Sequence, residues 1–313
     1  LVAVEIGFPA QSVESGARAI TPDWARRALR QREPVAHKGS AGRLFILAGS
    51  SGMAGAAALA VEAATRAGGG LIRVASCADN RTILQAVVPE ATFLDRDHLA
   101  HEDLEPMHAM VAGPGLGTDA SAQRGLARAL GLTVGKPTLL DADGLNIIAA
   151  GEAGYLARIA ADRPLVITPH ARELSRLTGT TLDDILADPV AAARSAAAGF
   201  GCTVLLKGQP SLVADPDGDL MVNTVGSSDT ATAGTGDQLA GTIGALLAGG
   251  IPPAAAAALG LFLSGRAADL AALGPSLSPR DVSARLAAAM AWPGPLQSDL
   301  ALPFVTFDQP PRW

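Results

Sequence analysis

Leu44-Phe45-Ile46-Leu47-Ala48-Gly49-Ser50-Ser51-Gly52-Met53-Ala54-Gly55-Ala56 runs from five consecutive apolar residues through a glycine loop into an alanine-rich stretch that continues to Ala67. The apolar run does not alternate with polar residues, so it reads as a strand buried on both faces. Ala56–Ala67 then reads as the helix that covers it. The same unit recurs downstream. Apolar runs stand at Leu71–Ala75, Ala109–Ala112, Thr138–Leu140, Leu165–Ile167, Thr203–Leu206 and Ser211–Ala214, and helical stretches at Ala120–Leu130, Pro189–Ala198 and Asp237–Ala248. That βαβ alternation predicts an α/β domain of three layers with a largely parallel central sheet.

The rest of the chain sets bounds on this reading. Its 313 residues suffice for two average domains or one large α/β domain, and the regular pattern favours the second. Residues 1–36 read as an arm or linker with one helix opening at Thr21-Pro22-Asp23, residues 37–291 as the domain, and 292–313 as a C-terminal extension. Aromatic residues make up 4%, so Ala, Leu, Val and Ile must fill the core. A formal charge of −6 argues against a nucleic-acid binder, which needs clustered Lys and Arg. Cys77 and Cys202 sit far apart inside apolar runs, so no disulfide framework is expected. With no basic, apolar, cleavable leader at the start, a cytoplasmic setting is expected. One stretch, between Asp237 and Arg266, carries no charge. Gly249-Gly250-Ile251-Pro252-Pro253 divides it, which predicts two buried helices, each too short to cross a membrane.

In a parallel sheet, ligands bind beyond the carboxyl ends of the strands. Six such ends carry suggestive residues. Gly49–Ala56 offers either main-chain contact to a ligand or a tight β-to-α turn. Gly113-Pro114-Gly115-Leu116-Gly117 has more glycine than a turn requires, which favours close ligand approach. Asp141-Ala142-Asp143-Gly144-Leu145-Asn146 could hold hydrated Mg²⁺, or Asp143 or Asn146 could cap a helix. Thr168-Pro169-His170 with Glu173 places an imidazole and a carboxylate at a helix start. Lys207 closes an apolar strand, where an ammonium calls for a phosphate partner unless it faces solvent. Ala231-Thr232-Ala233-Gly234-Thr235-Gly236-Asp237 opens the charge-free helix. Its small residues expose an arc of N–H groups, and Asp237 in the first turn is placed to take a proton from a hydroxyl.

Thr232-Ala233-Gly234-Thr235-Gly236-Asp237 resembles the anion-hole signature of ribokinase-like enzymes. His37-Lys38-Gly39 with Gly42-Arg43, and then the other motifs above in order, are similar to the ADP/ATP-dependent NAD(P)H-hydrate dehydratases over about residues 36–286. The resemblance implies a ribokinase-like αβα fold. It also implies that ADP or ATP phosphorylates the hydroxyl of hydrated NADH or NADPH and that phosphate then leaves. In its terms Asp237 is the general base, and Gly234, Thr235 and Gly236 hold the moving phosphoryl group. Ala56, Gly117 and His170 join Asp237 in lining the hydrate pocket. Lys207, Gly208, Gln209, Pro210 and Ser211, with Gly236, contact the nucleotide, and Glu173 acts through water on Mg²⁺. The resemblance further implies a homotetramer acting on small molecules. Val4-Glu5-Ile6-Gly7-Phe8-Pro9 is similar to the tail of the epimerase domain often fused ahead of this family.

Some residues depart from the family pattern. Ala231 replaces the Asp-Thr pair of sugar kinases, Gly226–Thr230 replaces Gly-Asn-Pro/Ala-Gly-Met, Ser211 replaces Thr, and Ser264 stands where many members carry His. ADP against ATP, and NADHX against NADPHX, stay open at this level. The alternatives are a hydroxyethylthiazole- or pyrimidine-type kinase of the same fold, and a nucleotide-binding regulator without turnover.

Overall fold

The computed structural model describes residues 16–29, 42–151, 154–226 and 228–291. His37–Gly39, the Val4–Pro9 segment and residues 292–313 lie outside them. Among the described residues the strands are β1 (Arg18–Ala19), β2 (Arg43–Leu47), β3 (Leu71–Ser76), β4 (Thr92–Asp95), β5 (Ala109–Ala112), β6 (Thr138–Leu140), β7 (Leu165–Ile167), β8 (Thr203–Leu206), β9 (Leu212–Ala214) and β10 (Leu220–Val222). The helices are α1 (Pro22–Ala28), α2 (Ala54–Arg66), α3 (Arg81–Val87), α4 (His101–Leu104), α5 (Ala120–Leu132), α6 (Asp143–Ala150), α7 (Tyr155–Ala161), α8 (Ala171–Thr178), α9 (Leu182–Ala187), α10 (Pro189–Phe200), α11 (Thr235–Ala248), α12 (Pro253–Ala271) and α13 (Pro279–Met290).

All ten strands form one sheet in the order β1-β10-β9-β8-β7-β6-β5-β2-β3-β4. From β4 to β8 every neighbouring pair is parallel; β9 is antiparallel to both β8 and β10, and β1 lies parallel to β10. Successive residues of each strand face opposite layers. Leu44 and Ile46 join a core with α2, α11, α12 and α13, whereas Phe45 and Leu47 join a separate core with α5, α6 and α10. That is the three-layer arrangement, and it explains why the strands show no polar face.

Small residues let the helices approach one another closely. A methyl group on Gly241 of α11 would lie 2.0 Å from the Ala60 carbonyl oxygen of α2. The aromatic-poor composition therefore serves close helix packing as well as the core. The charge-free stretch forms two helices, as expected, but the length argument is corrected. α12 continues past Arg266 to 19 residues, long and apolar enough to span a bilayer by length alone. Its most apolar window is 67% buried in protein, and that burial accounts for its composition.

The sequence reading did not separate β1, β4 and β10. They are short, and β4 and β10 carry half-exposed residues, so their apolar signal is weak. Thr21 caps α1 as expected, its hydroxyl accepting from Trp24 N at 3.2 Å. Residues 18–25 dock on the sheet edge: Ile20 N donates to the Val222 carbonyl at 2.9 Å, and Ile20 and Ala25 are buried.

Candidate active site

Because β6, β7 and β8 are parallel neighbours, their carboxyl ends deliver Asp141, His170 and Lys207 to one edge of the sheet. A parallel bridge between His170 and Lys207 continues the β7–β8 pairing beyond the strands, with Lys207 N donating to the Pro169 carbonyl at 2.8 Å. Lys207 Nζ donates to Asp141 Oδ1 at 2.8 Å and lies 3.9 Å from Glu173 Oε2. The ammonium therefore does not wait for a phosphate without a partner; three carboxylates surround it. Burial disfavours its charge, but Asp141, Glu173 and Asp237 together hold its pKa above the ordinary lysine value.

α11 begins beside this cluster. Its cap, Gly234, has φ +91°, and a Cβ there would meet Leu59 Cδ1 at 2.6 Å, so glycine is required. The N–H groups of Gly236 and Asp237 find no acceptor among the described residues, as expected at an uncapped helix start. A Cβ on Gly236 would sit 3.7 Å from both Asp141 Oδ2 and Lys207 Nζ, so the bare backbone opens directly onto the ion pair. Asp237 follows in the first turn. Burial, and then the charge of Asp141, push its carboxyl up to about 6; Lys207 opposes the shift and Asp143 adds to it. A carboxyl raised this far at a helix start is suited to accept a proton near neutral pH.

On one side of this junction opens a cavity of about 910 Å³, lined by Lys207 through Ser211, His170, Thr235 and Gly236 together with Asn223, Ser264 and Leu261. Every residue assigned by resemblance to the nucleotide lines it. The Ser211 hydroxyl closes the β8–β9 turn by bonding both Gly208 N and O, at 3.2 and 2.9 Å. Ala56, Gly115, Gly117 and Asp237 are not among the residues that line the cavity. A Cβ on Gly115 would touch Ala56 Cβ at 2.7 Å, and Gly117 N donates to Asp143 Oδ2 at 2.9 Å. His170 lies on the wall of the large cavity and caps α8. Its Nδ1 accepts from Glu173 N at 3.1 Å while the His170 main-chain N–H donates to Glu173 Oε2 at 2.8 Å.

Two sequence readings change here. Gly49 N and Ser50 N are spent on the carbonyls of Pro114 and Gly115, at 2.9 and 2.6 Å, so the two glycine loops brace each other. Neither Asp143 nor Asn146 caps α6. Ala142 stands at the cap position, at φ 46° and ψ −118°, a strained conformation that costs of order 1–3 kcal/mol, and the carboxylates on either side take different partners, Asp141 the Lys207 ammonium and Asp143 the Gly117 N–H. In sequence, Asp141 and Asp143 present only a metal or capping motif. Their places at the end of the strand paired beside β7 were the signal for more.

Among the described residues no group of three or more His, Cys, Asp or Glu is arranged to hold a metal. The donors nevertheless suit magnesium carried by nucleotide phosphates, which needs only one or two carboxylates and water. Glu173 is buried beside the cavity-lining Lys207, with its Oε1 3.6 Å from His170 Nε2 and its Oε2 accepting from the His170 main-chain N–H.

The family model described as NAD(P)H-hydrate dehydratase matches residues 44–287. The chain belongs to the NAD(P)H-hydrate dehydratase family. A family member from Neisseria meningitidis serogroup B, an ADP-dependent (S)-NAD(P)H-hydrate dehydratase, is 40% identical over 268 residues, covering 84% of this chain and 88% of that one. The bifunctional NAD(P)H-hydrate repair enzyme of Mycobacterium leprae is 43% identical over 239 residues, and the match spans 47% of its length. Among solved structures, the ADP/ATP-dependent NAD(P)H-hydrate dehydratase of Bacillus subtilis, co-crystallised with ATP/Mg²⁺, superposes with a TM-score of 0.77 at 29% identity, covering 87% and 97% of the two chains. A ribokinase-like superfamily protein from Enterococcus faecalis gives 0.79 at 27% identity, over 89% and 96%. The fold is therefore ribokinase-like, as the family's signature implied.

Proposed function

We propose that this chain dehydrates (S)-NAD(P)H hydrate to NAD(P)H with ADP or ATP as co-substrate. The observation that carries the reading is Asp237, raised to about 6 in the first turn of α11, behind the amides of Gly236 and Asp237 and beside the Lys207–Asp141 pair, of which Lys207 and the neighbouring Gly236 line the cavity.

The nucleotide lies in the 910 Å³ cavity with its terminal phosphate toward Gly236 and Lys207. The hydroxyl of the hydrated ring approaches from the Gly117 side. Asp237 accepts the hydroxyl proton as the oxygen attacks the terminal phosphorus, and the bond to the departing AMP or ADP breaks. The Gly236 and Asp237 amides and the α11 dipole stabilise the charge on the moving phosphoryl group, with Lys207 beside it. The C–O bond of the phosphate ester then breaks, and the neighbouring carbon loses a proton to restore the ring double bond. Hydroxide is a poor leaving group and phosphate a good one, so a kinase-type site serves a lyase. Glu173 would hold Mg²⁺ through water, and the ion would supply positive charge to the nucleotide phosphates. A homotetramer in the cytoplasm completes the reading.

The test is incubation with NADHX or NADPHX and either nucleotide. Recovery of dihydronicotinamide absorbance, with one phosphate released per turnover, is expected. A phosphorylated product that accumulates without absorbance would point to the kinase alternative instead. Nucleotide binding without turnover, indifferent to Asp237→Asn, would mark a regulator.

A further inference from the structure

Arg96 stands just past β4, at the sheet edge, and its buried side chain ends at the glycine loop that follows β5. Its Nη1 donates to the Leu116 carbonyl at 2.8 Å. The rest of the guanidinium is poorly compensated. Nη2 lies 3.8 Å from Asp119, whose side chain is 59% exposed, and Nε is buried without an acceptor among the described residues. A cation buried on such terms costs stability, so its presence needs another explanation.

The other end of the same peptide unit supplies one. Gly117 N, the amide that follows the Leu116 carbonyl, donates to Asp143 Oδ2 at 2.9 Å. The carbonyl and N–H of a trans peptide point in opposite directions, so a cation and a carboxylate grip one peptide from its two sides. Turning that peptide over would set its carbonyl against Asp143 and its N–H against Arg96. The chain itself opposes the turn weakly: it changes Leu116 ψ and Gly117 φ, and Gly117, at φ +77°, tolerates either sign. Asp143 is oriented in its turn. Asn146 Nδ2 donates to its Oδ1 at 3.3 Å, and Arg176 Nη1 donates to Asn146 Oδ1 at 3.0 Å.

We propose that Arg96 and Asp143 are positioning residues that lock the Leu116–Gly117 peptide in one orientation, so that Gly117 meets the hydrated ring as bare surface. Both polar groups of that peptide are consumed by the protein, and the glycine contributes shape without a hydrogen bond of its own. The inference rests on the dehydratase reading, in which Gly117 lines the hydrate pocket, and adds which side chains set that surface. It gives the buried guanidinium a use: with opposite charges at its two ends, the peptide has one favourable state where the glycine alone would allow two.

The experiment is steady-state kinetics of the intact chain with hydrated NADH or NADPH and ADP or ATP. The variants are Arg96→Met, Asp143→Asn, Asp143→Ala, and Arg96→Met combined with Asp143→Ala. Methionine fills the space of the guanidinium without its charge. Arg96→Met is expected to raise KM for the hydrate about tenfold or more and to leave KM for the nucleotide within about twofold. Asp143→Asn keeps an acceptor for Gly117 N and should move the hydrate KM by less than about threefold, whereas Asp143→Ala should match Arg96→Met. Because both residues act on one peptide, the double variant should be little worse than either single one. An unchanged hydrate KM in Arg96→Met, an equal rise for both substrates, or losses that multiply in the double variant would overturn the proposal. If Arg96→Met does not fold, Asp143→Ala against Asp143→Asn decides, and equal hydrate KM values in those two overturn it. A wild-type chain that turns over neither hydrate would overturn the dehydratase reading, and this one with it. Turnover that Arg96→Met leaves untouched would overturn only this one.

Discussion

Asp237→Asn should stabilise the protein while destroying its activity. The carboxyl of Asp237 is raised from 3.8 to about 6, chiefly by burial. A raised acid is easier to ionise in the unfolded chain than in the folded one. Above both values the folded state carries the full penalty, and below both it carries none. At about 1.4 kcal/mol per pH unit, the interval between those values makes the ionised carboxylate cost ~3 kcal/mol at neutral pH. Asparagine removes that charge, so a gain of about 1–3 kcal/mol, or about 2–5 °C in Tm, is expected. The gain should be absent near pH 4, grow up to about pH 6, and stay constant above it. Turnover should fall by about 10²- to 10⁴-fold, the contribution of a positioned base. Thermal unfolding of both proteins across that pH range, beside the dehydration assay, tests the two halves together. A Tm difference that does not change with pH, or a variant that keeps its turnover, would refute the reasoning.

Wild-type kcat should fall on the acid side of about pH 6, because only the ionised Asp237 accepts a proton. Asp141→Asn should move that acid limb to lower pH, since the Asp141 charge helps raise Asp237, and a pH–rate profile reads the shift directly. It should also cost about 2–4 kcal/mol in denaturant unfolding, because Lys207 loses its charged partner at 2.8 Å. Gly236→Ala should fold normally, as its methyl would rest at 3.7 Å from its nearest neighbours. That methyl would cover the Lys207–Asp141 junction, so calorimetry should show nucleotide affinity about tenfold or more lower. Gly241→Ala should instead destabilise by about 3 kcal/mol or more, because its methyl would lie 2.0 Å from the Ala60 carbonyl oxygen and force α2 from α11; thermal unfolding measures the loss.

The parallel core was legible because β2, β5, β6, β7 and β8 are buried on both faces, and such strands have no polar alternation to confuse the pattern. The edge strands β1, β4 and β10 were not, since a strand of two to four half-exposed residues depends on its neighbour more than on its own composition. Lys207, Gly236 and Asp237 stood out as local anomalies: a cation ending an apolar run, and small residues crowding a helix start. Asp141 escaped attention as a partner of Lys207 because 66 residues separate them, and only the β6-β7-β8 order makes them neighbours.

Local chemistry along the chain determined the βαβ rhythm, the glycine turns and the presence of a carboxylate behind an amide-rich helix start. Those features depend on residues a few positions apart, where backbone sterics and hydrophobic period act directly. Tertiary structure decided which charges meet, how far Asp237 is shifted, and where the cavity lies. Electrostatic coupling and desolvation depend on distances through space, and those are set by the order in which the strands assemble.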